Sequence, residues 1–238
     1  GGKMVKELSV FFPAYNEEKN IGPVVERAVQ VLNNLSLQKA EILIINDGST
    51  DKTAAAAAAL EKKYPGLVRL INHPENQGYG AALRTGFYKA RYEWVVFTDA
   101  DGQFDFSEIT DFLKKQVETG ADAVVGYYRE RKVPWSRKLN TFLWDSLMKM
   151  IFGINIRDID CAFKLIRREV FNKIDNLESE RGAFISTELL AKISKKGFII
   201  VETGITHQPR LAGHGTGADL KVIVKSFLDL FRLWRKMR

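Results

Sequence analysis

Cysteine is almost absent from this 238-residue chain. Cys161 stands alone, which excludes an internal disulfide framework and fits a reducing compartment. Long apolar runs are missing too. Runs of large apolar residues, such as ILII (Ile42 to Ile45) and FIIV (Phe198 to Val201), are strand-sized, far short of the roughly 20 residues that span a bilayer. No secretory leader is evident, and Gly1-Gly2-Lys3 reads as a remnant outside the fold. Zinc-finger spacing, an RNA-binding aromatic signature and long basic runs are all lacking, so nothing in the chain argues for nucleic acid. What it does have is an ordinary globular composition, 45% hydrophobic and 27% charged, which argues against disorder. Its length suits one large α/β domain or two small ones with a sizeable core.

The charge balance is uneven. A net charge of +7 and a pI near 9.4 point to an anionic partner, a phosphorylated substrate or a lipid headgroup. The excess sits late in the chain, in Arg129 to Lys173 and Lys221 to Arg238, whereas the first half mixes signs.

Hydrophobic patterning alternates strands with helices. Leu8 to Phe12 reads as a strand closed by Pro13, and Ile21, Val24, Val25, Ala28, Val29, Leu32 and Leu35 recur at helical spacing. A strand at Glu41 to Ile45 leads through NDGSTD into a helix over the alanine run to Tyr64, with Ser49, Thr50 or Asp51 able to cap it. Further strands are expected at Val68 to Ile71, Trp94 to Thr98 and Ala123 to Val125, with helices at Gly80 to Ala90 and Ser107 to Thr119. Such alternation implies a mostly parallel sheet with right-handed crossovers, whose ligands bind beyond the carboxyl ends of the strands. PAYNE, NDGSTD and DADGQ each follow a strand directly and so should converge on one crevice. Beyond Gly126 the alternation breaks down: a loop at Tyr127 to Pro134, helices at Lys138 to Phe152 and Ser186 to Lys195, strands at Phe163 to Ile166 and Ile199 to Glu202, a glycine-rich loop from Gly204 to Asp219, and a last helix from Leu220.

FTDADGQFD carries the sharpest chemistry. Extended geometry continued past Phe97 would turn the carboxylates of Asp99 and Asp101 to one side. Two like charges that close repel unless water or a cation lies between them, and Mg2+ accepts one or two carboxylates plus substrate phosphates. The same residues also suit a solvated turn.

With these motifs in order, PAYNE, NDGSTD, NQGYGAALRTG, DADGQ, DIDCAFKLIRREVF and HQPRLAGHGTG, the chain resembles the family-two, GT-A-fold glycosyltransferases. Within them it is most similar to the dolichyl- and polyprenyl-phosphate mannose and glucose synthases, from about Leu8 to Trp234. The resemblance implies an α/β GT-A domain over 4–220, with a donor half to about 126 and an acceptor half from 127. A basic amphipathic helix over 221–238 would follow, in a juxtamembrane position. It implies that Pro13, Tyr15, Asn16 and Glu17 hold the nucleotide's base and ribose, although Asn16 also suits a helix cap with Glu17 and Glu18 at the positive helix end. Asp47 would contact the base, with Asn46 standing where many relatives have a second aspartate. Gly78, Gly80 and Arg84 would lie against base and diphosphate. Asp99, Ala100, Asp101 and Gln103 would form the donor and metal motif, with Asp99, Asp101 and Gln103 binding Mg2+ or Mn2+.

On the acceptor side, a sugar hydroxyl needs a general base. A lipid monophosphate, with a second pKa near ~6, needs cations instead. Arg129, Arg137 and Asn140 lie where relatives bind that phosphate, Arg210 matches a diphosphate contact with His207 beside it, and Asp160 and Glu188 are candidates to orient the sugar; Asp101, Arg129, Arg137 and Glu188 make up the catalytic set. The expected reaction is metal-dependent, inverting transfer of mannose or glucose from GDP-mannose or UDP-glucose to a polyprenyl or dolichyl phosphate. The enzyme would be cytoplasmic, peripheral on that face of the membrane, with Leu139 to Phe152 and Val222 to Trp234 touching lipid or packing into the core. A glycan or glycolipid hydroxyl acceptor is the alternative. A sugar-nucleotide pyrophosphorylase and a non-catalytic binding module are more distant ones: PAYNE stands where the former would carry its glycine-rich loop, and the intact acidic motif argues against the latter.

Overall fold

The computed structural model describes residues 2–130, 135–179, 184–206, 208 and 234–235; the side chains of 135–141 and 145 fall outside that description. The expected helix over 221–238 and the glycine-rich stretch after Gln208 therefore lie outside the described residues, apart from 234–235.

Strands β1 (Glu7–Ala14), β2 (Lys39–Asn46), β3 (Val68–Asn72), β4 (Trp94–Phe97) and β5 (Ala123–Tyr128) alternate with helices α1 (Ile21–Asn33), α2 (Thr53–Lys63), α3 (Tyr79–Lys89) and α4 (Ile109–Thr119). Then come α5 (Trp135–Phe152), β6 (Lys164–Arg167), α6 (Glu169–Lys173), α7 (Phe184–Lys195) and β7 (Ile200–Ile205). A single seven-stranded sheet runs in the order β3-β2-β1-β4-β6-β5-β7. All pairings are parallel except those of β6, which runs antiparallel between β4 and β5. Strands from the later part of the chain thus complete the sheet begun by the earlier part.

Alternation sorts the core onto both faces. Leu8, Val10 and Phe12 face α1, α2 and α4, while Phe11 faces α3 with Phe87 and Phe97. The Phe11 ring lies 5.1 Å edge-on from Phe87 and 5.3 Å from Phe97. Gly86 lets α3 settle on this cluster, since a Cβ there would come within 2.3 Å of the Phe11 ring. That close seat brings the first turn of α3 over the end of β4.

The observed elements differ from the expected ones where chain ends meet tertiary partners. Pro13 lies inside β1, paired with Ile45 of β2, rather than closing the strand. Pairing with β4 stops at Phe11, so no ladder hydrogen bond is asked of the imide nitrogen on that side. Tyr127 and Tyr128, expected in a loop, extend β5 because β7 pairs with them through Ile205. The helix expected from Ser107 begins as a 3-10 turn, Phe106–Glu108, capped by Asp105.

Candidate active site

The order 3-2-1-4 reverses between β1 and β4, the switch point at which open α/β sheets bind ligands. PAYNE leaves the end of β1, NDGSTD the end of β2 and DADGQ the end of β4, so the three motifs meet there.

The first two loops are stitched together. Asn16 sits at φ 55°, in the left-handed region that asparagine tolerates better than most residues. Its Oδ1 accepts the Thr50 N–H at 2.9 Å, and its own N–H donates to Ser49 Oγ at 3.0 Å. The Glu17 N–H donates to Thr53 Oγ1 at 2.8 Å and the Glu18 N–H to Asp51 Oδ2 at 3.2 Å. The cap reading of Asn16 is therefore corrected: α1 starts at Ile21 with no acidic residue in its first turn, and Asn16 is held by NDGSTD instead. Tyr15, 47% exposed, stands at the rim beside them, and Pro13 is buried below.

Asp47 is buried and surrounded by donors. Its Oδ1 takes His73 Nδ1 at 2.7 Å and the Gln77 N–H at 3.0 Å; its Oδ2 takes Asn76 Nδ2 at 3.0 Å and the Gly78 N–H at 2.8 Å. A carboxylate has about four lone-pair sites, and here they are aimed at the 73–78 loop. The structure thus gives Asp47, expected at the base, the task of shaping that loop. It also gives the N–H of Gly78, expected beside the diphosphate, to a protein carboxylate. Asn46 is likewise engaged, donating to Asn72 Oδ1 at 2.8 Å. Gly48, at φ 64°, allows the loop to cross so closely that a Cβ would lie 2.2 Å from the Glu75 carbonyl carbon. His73, which sequence reasoning missed, also reaches Thr85 Oγ1 of α3 at 2.9 Å through Nε2.

At the end of β4, Asp99 Oδ1 accepts the Tyr79 hydroxyl at 2.8 Å, and Asp101, 4% exposed, accepts the Gln103 N–H at 3.0 Å. Ala100 is buried between them. Burial first, and then the Asp99 and Asp101 carboxylates, hold the Tyr79 phenol well above the ordinary tyrosine range, so it stays a donor. The Gln208 N–H donates to the Gln103 carbonyl at 3.0 Å, which brings Gln208 alongside DADGQ. The hard oxygen donors of Asp99, Asp101 and Gln103 suit Mg2+ or Mn2+. Among the described residues no group of three or more His, Cys, Asp or Glu could hold an ion. A cation at Asp99 and Asp101 would therefore complete its shell with water and phosphate, as Mg2+ commonly does.

Lys164 was missed as well. Fully buried and opposite Phe97 in the β4–β6 register, its Nζ donates to the Cys161 carbonyl and stands 5.7 Å over the Phe97 ring. Burial lowers its pKa, against the pull of Cys161, Asp160, Asp158 and Asp99. A lysine within the otherwise apolar stretch AFKLI was the available signal.

Of the acceptor-side residues, only some fall among the described residues. Arg129, at the end of β5, turns its guanidinium to Glu108 at 3.6 Å and Asp111 at 3.5 Å. Arg137 and Asn140 fall on the first turns of α5, but their side chains, like His207 and Arg210 altogether, lie outside the described residues. Arg84 donates to the Leu177 carbonyl at 3.2 Å. Glu188, in α7, accepts from the Glu178 and Ser179 N–H groups at 2.8 Å each, from Ser179 Oγ at 2.5 Å and from Lys192 Nζ at 2.7 Å. Burial works against its charge, yet Lys192 and Ser179 hold the carboxyl below the ordinary glutamate range. Glu188 thus anchors the 176–179 segment. Asp160 is exposed and Cys161 is a small buried side chain.

A seven-stranded α/β sheet with an acidic strand end at its switch point is the GT-A arrangement. Glycosyl transferase family 2 matches residues 9–175, and the chain belongs to that family. It is a glycosyltransferase. It is 30% identical over 213 residues to a polyprenol monophosphomannose synthase of Mycolicibacterium smegmatis, covering 86% of this chain and 78% of that protein. A dolichyl-phosphate beta-glucosyltransferase of Trichomonas vaginalis is 29% identical over 244 residues, 95% and 72% of the two chains. Among solved structures, glucosyl-3-phosphoglycerate synthase from Mycobacterium tuberculosis with Mn2+ and UDP-glucose superposes with a TM-score of 0.70 at 17% identity, covering 98% and 79%.

Proposed function

We propose that this glycosyltransferase moves mannose or glucose, with inversion, from GDP-mannose or UDP-glucose to a polyprenyl or dolichyl phosphate, at the cytoplasmic face of a membrane. The observation that carries the donor half is the Asp99–Asp101 pair at the switch point, beside the stitched PAYNE and NDGSTD loops. The named activities of the two relatives support the acceptor. A phosphate oxygen of the lipid attacks the anomeric carbon while the bond from that carbon to the diphosphate oxygen breaks. The nucleoside diphosphate leaves with the electron pair. No proton has to be removed from the acceptor, so the site needs charge and position rather than a general base. That suits a fold in which the candidate carboxylates Glu188 and Asp47 are each engaged by protein donors.

In this reading Asp99, Asp101 and Gln103 hold Mg2+ or Mn2+, which when bound offsets the charge developing on the leaving diphosphate. Tyr15, Asn16 and Glu17 face the nucleoside, and Arg129, Arg137, Asn140, His207 and Arg210 serve the anionic groups of acceptor and donor. The family's lipid acceptor also gives a role to α5. Phe142, Leu143 and Met150 are 65%, 56% and 77% exposed on one side of it, while Met148 is buried against the core. No helix among the described residues is long and apolar enough to cross a membrane, so contact through this face would be peripheral.

Asp101→Asn tests the donor site. Transfer should be abolished and Mn2+-dependent binding of the nucleotide diphosphate weakened, with the fold intact by circular dichroism. Calorimetry that finds the metal-dependent binding unchanged would sink the assignment.

A further inference from the structure

The network that carries the loops does not stop at Asp47. Asp47 fixes the N–H groups of Gln77 and Gly78 at the entry to α3, and through His73 it fixes Thr85 in the middle of that helix. Gly78, at φ 101°, turns the chain so that the next residue begins the helix. That residue is Tyr79, and its hydroxyl lands on Asp99 at 2.8 Å. The ring packs against the same core cluster as Phe11, Phe97 and Leu83, so its position is set from both ends.

From this we infer that Tyr79 is a positioning residue of Asp99, and that Asp47 and His73 hold Tyr79 in place for that task. The inference rests on the donor-site reading above and concerns how Asp99 is aimed. An aspartate side chain can take several χ1 and χ2 rotamers; a hydrogen bond from a fixed phenol to Oδ1 favours one of them and so helps to orient the rest of the carboxylate. Carboxylates that bind metal ions commonly have such an outer partner, and losing it typically costs ~10–100-fold in metal affinity or activity. The link also makes the metal carboxylate depend on the NDG turn, some thirty residues earlier than the helix that carries Tyr79.

Tyr79→Phe removes the hydroxyl and keeps the ring. Binding of UDP and GDP is measured by calorimetry on the full chain, in EDTA and at a series of Mn2+ concentrations, alongside a thermal melt. The expected result is a Mn2+ half-saturation raised by ~10–100-fold, with nucleotide affinity in EDTA and the melting temperature close to wild type. Equal Mn2+ dependence in Y79F and wild type overturns the inference and leaves the donor site standing. So does an equal loss of nucleotide affinity with and without Mn2+, which would make Tyr79 a packing residue of α3. Wild type that binds neither nucleotide in the presence of Mn2+ overturns the donor site, and the positioning role with it.

Discussion

Glu188 and Asp47 look in the sequence like carboxylates waiting for a ligand, Asp47 in a polar turn after a strand and Glu188 on an otherwise largely apolar helix. In the fold each is met by four protein donors, which for Glu188 lie within ten residues and for Asp47 come from the 73–78 loop. Such local satisfaction cannot be seen from residue types, since it depends on where the loop backbone points. Asp99 and Asp101 stand out in the sequence for a different reason, as two carboxylates one residue apart after an apolar run, and their place at the end of β4 follows from that run. Lys164 and His73 were missed because a backbone carbonyl three residues back and an aspartate 26 residues back become partners only once the chain has folded. The anchoring role of Glu188 has a measurable consequence. Glu188→Gln should destabilise the protein by about 3 kcal/mol at pH 7, since Lys192 is left buried without its counter-charge. The folded pKa of Glu188 is lowered, so its contribution is complete above the unfolded value near ~4.3 and is lost as pH falls through the folded one. Urea unfolding should therefore show the gap between variant and wild type at pH 7 narrowing below pH ~4. A gap that persists there would assign it to packing.

At the level of elements, continuous apolar strands and 3.6-residue periodicity made β1 through α4 readable, with errors of a residue or two at the ends. The sequence could not show that β6 would insert antiparallel between β4 and β5, because strand order after α5 is settled by which edges remain open. Nor could it show which side of α5 is exposed. Trp144, Leu147, Ile151 and Phe152 pack on the core, which leaves Phe142, Leu143 and Met150 outward. If that face meets lipid, the double variant Phe142→Glu, Met150→Glu should sediment with anionic liposomes at least ~10-fold less, each buried apolar side chain being worth ~1.5–3 kcal/mol. Its melting temperature should change little, as for most exposed positions. Undiminished sedimentation would remove α5 from the membrane contact.

Taken as a whole molecule, the chain concentrates its acidic motif at one end of a seven-stranded sheet and its excess positive charge in the second half. That division suits a donor held through a metal-bridged diphosphate and an acceptor that is itself an anion. The direct test is transfer itself. Purified protein with Mn2+ is given GDP-mannose or UDP-glucose and, in parallel, a short polyprenyl phosphate, the matching polyprenol and a simple glycoside. The account predicts a hexosyl-phospho-polyprenol by mass spectrometry, with release of one nucleoside diphosphate per product and no product from the two hydroxyl acceptors. Sugar appearing on the polyprenol or the glycoside, and none on the polyprenyl phosphate, would contradict it.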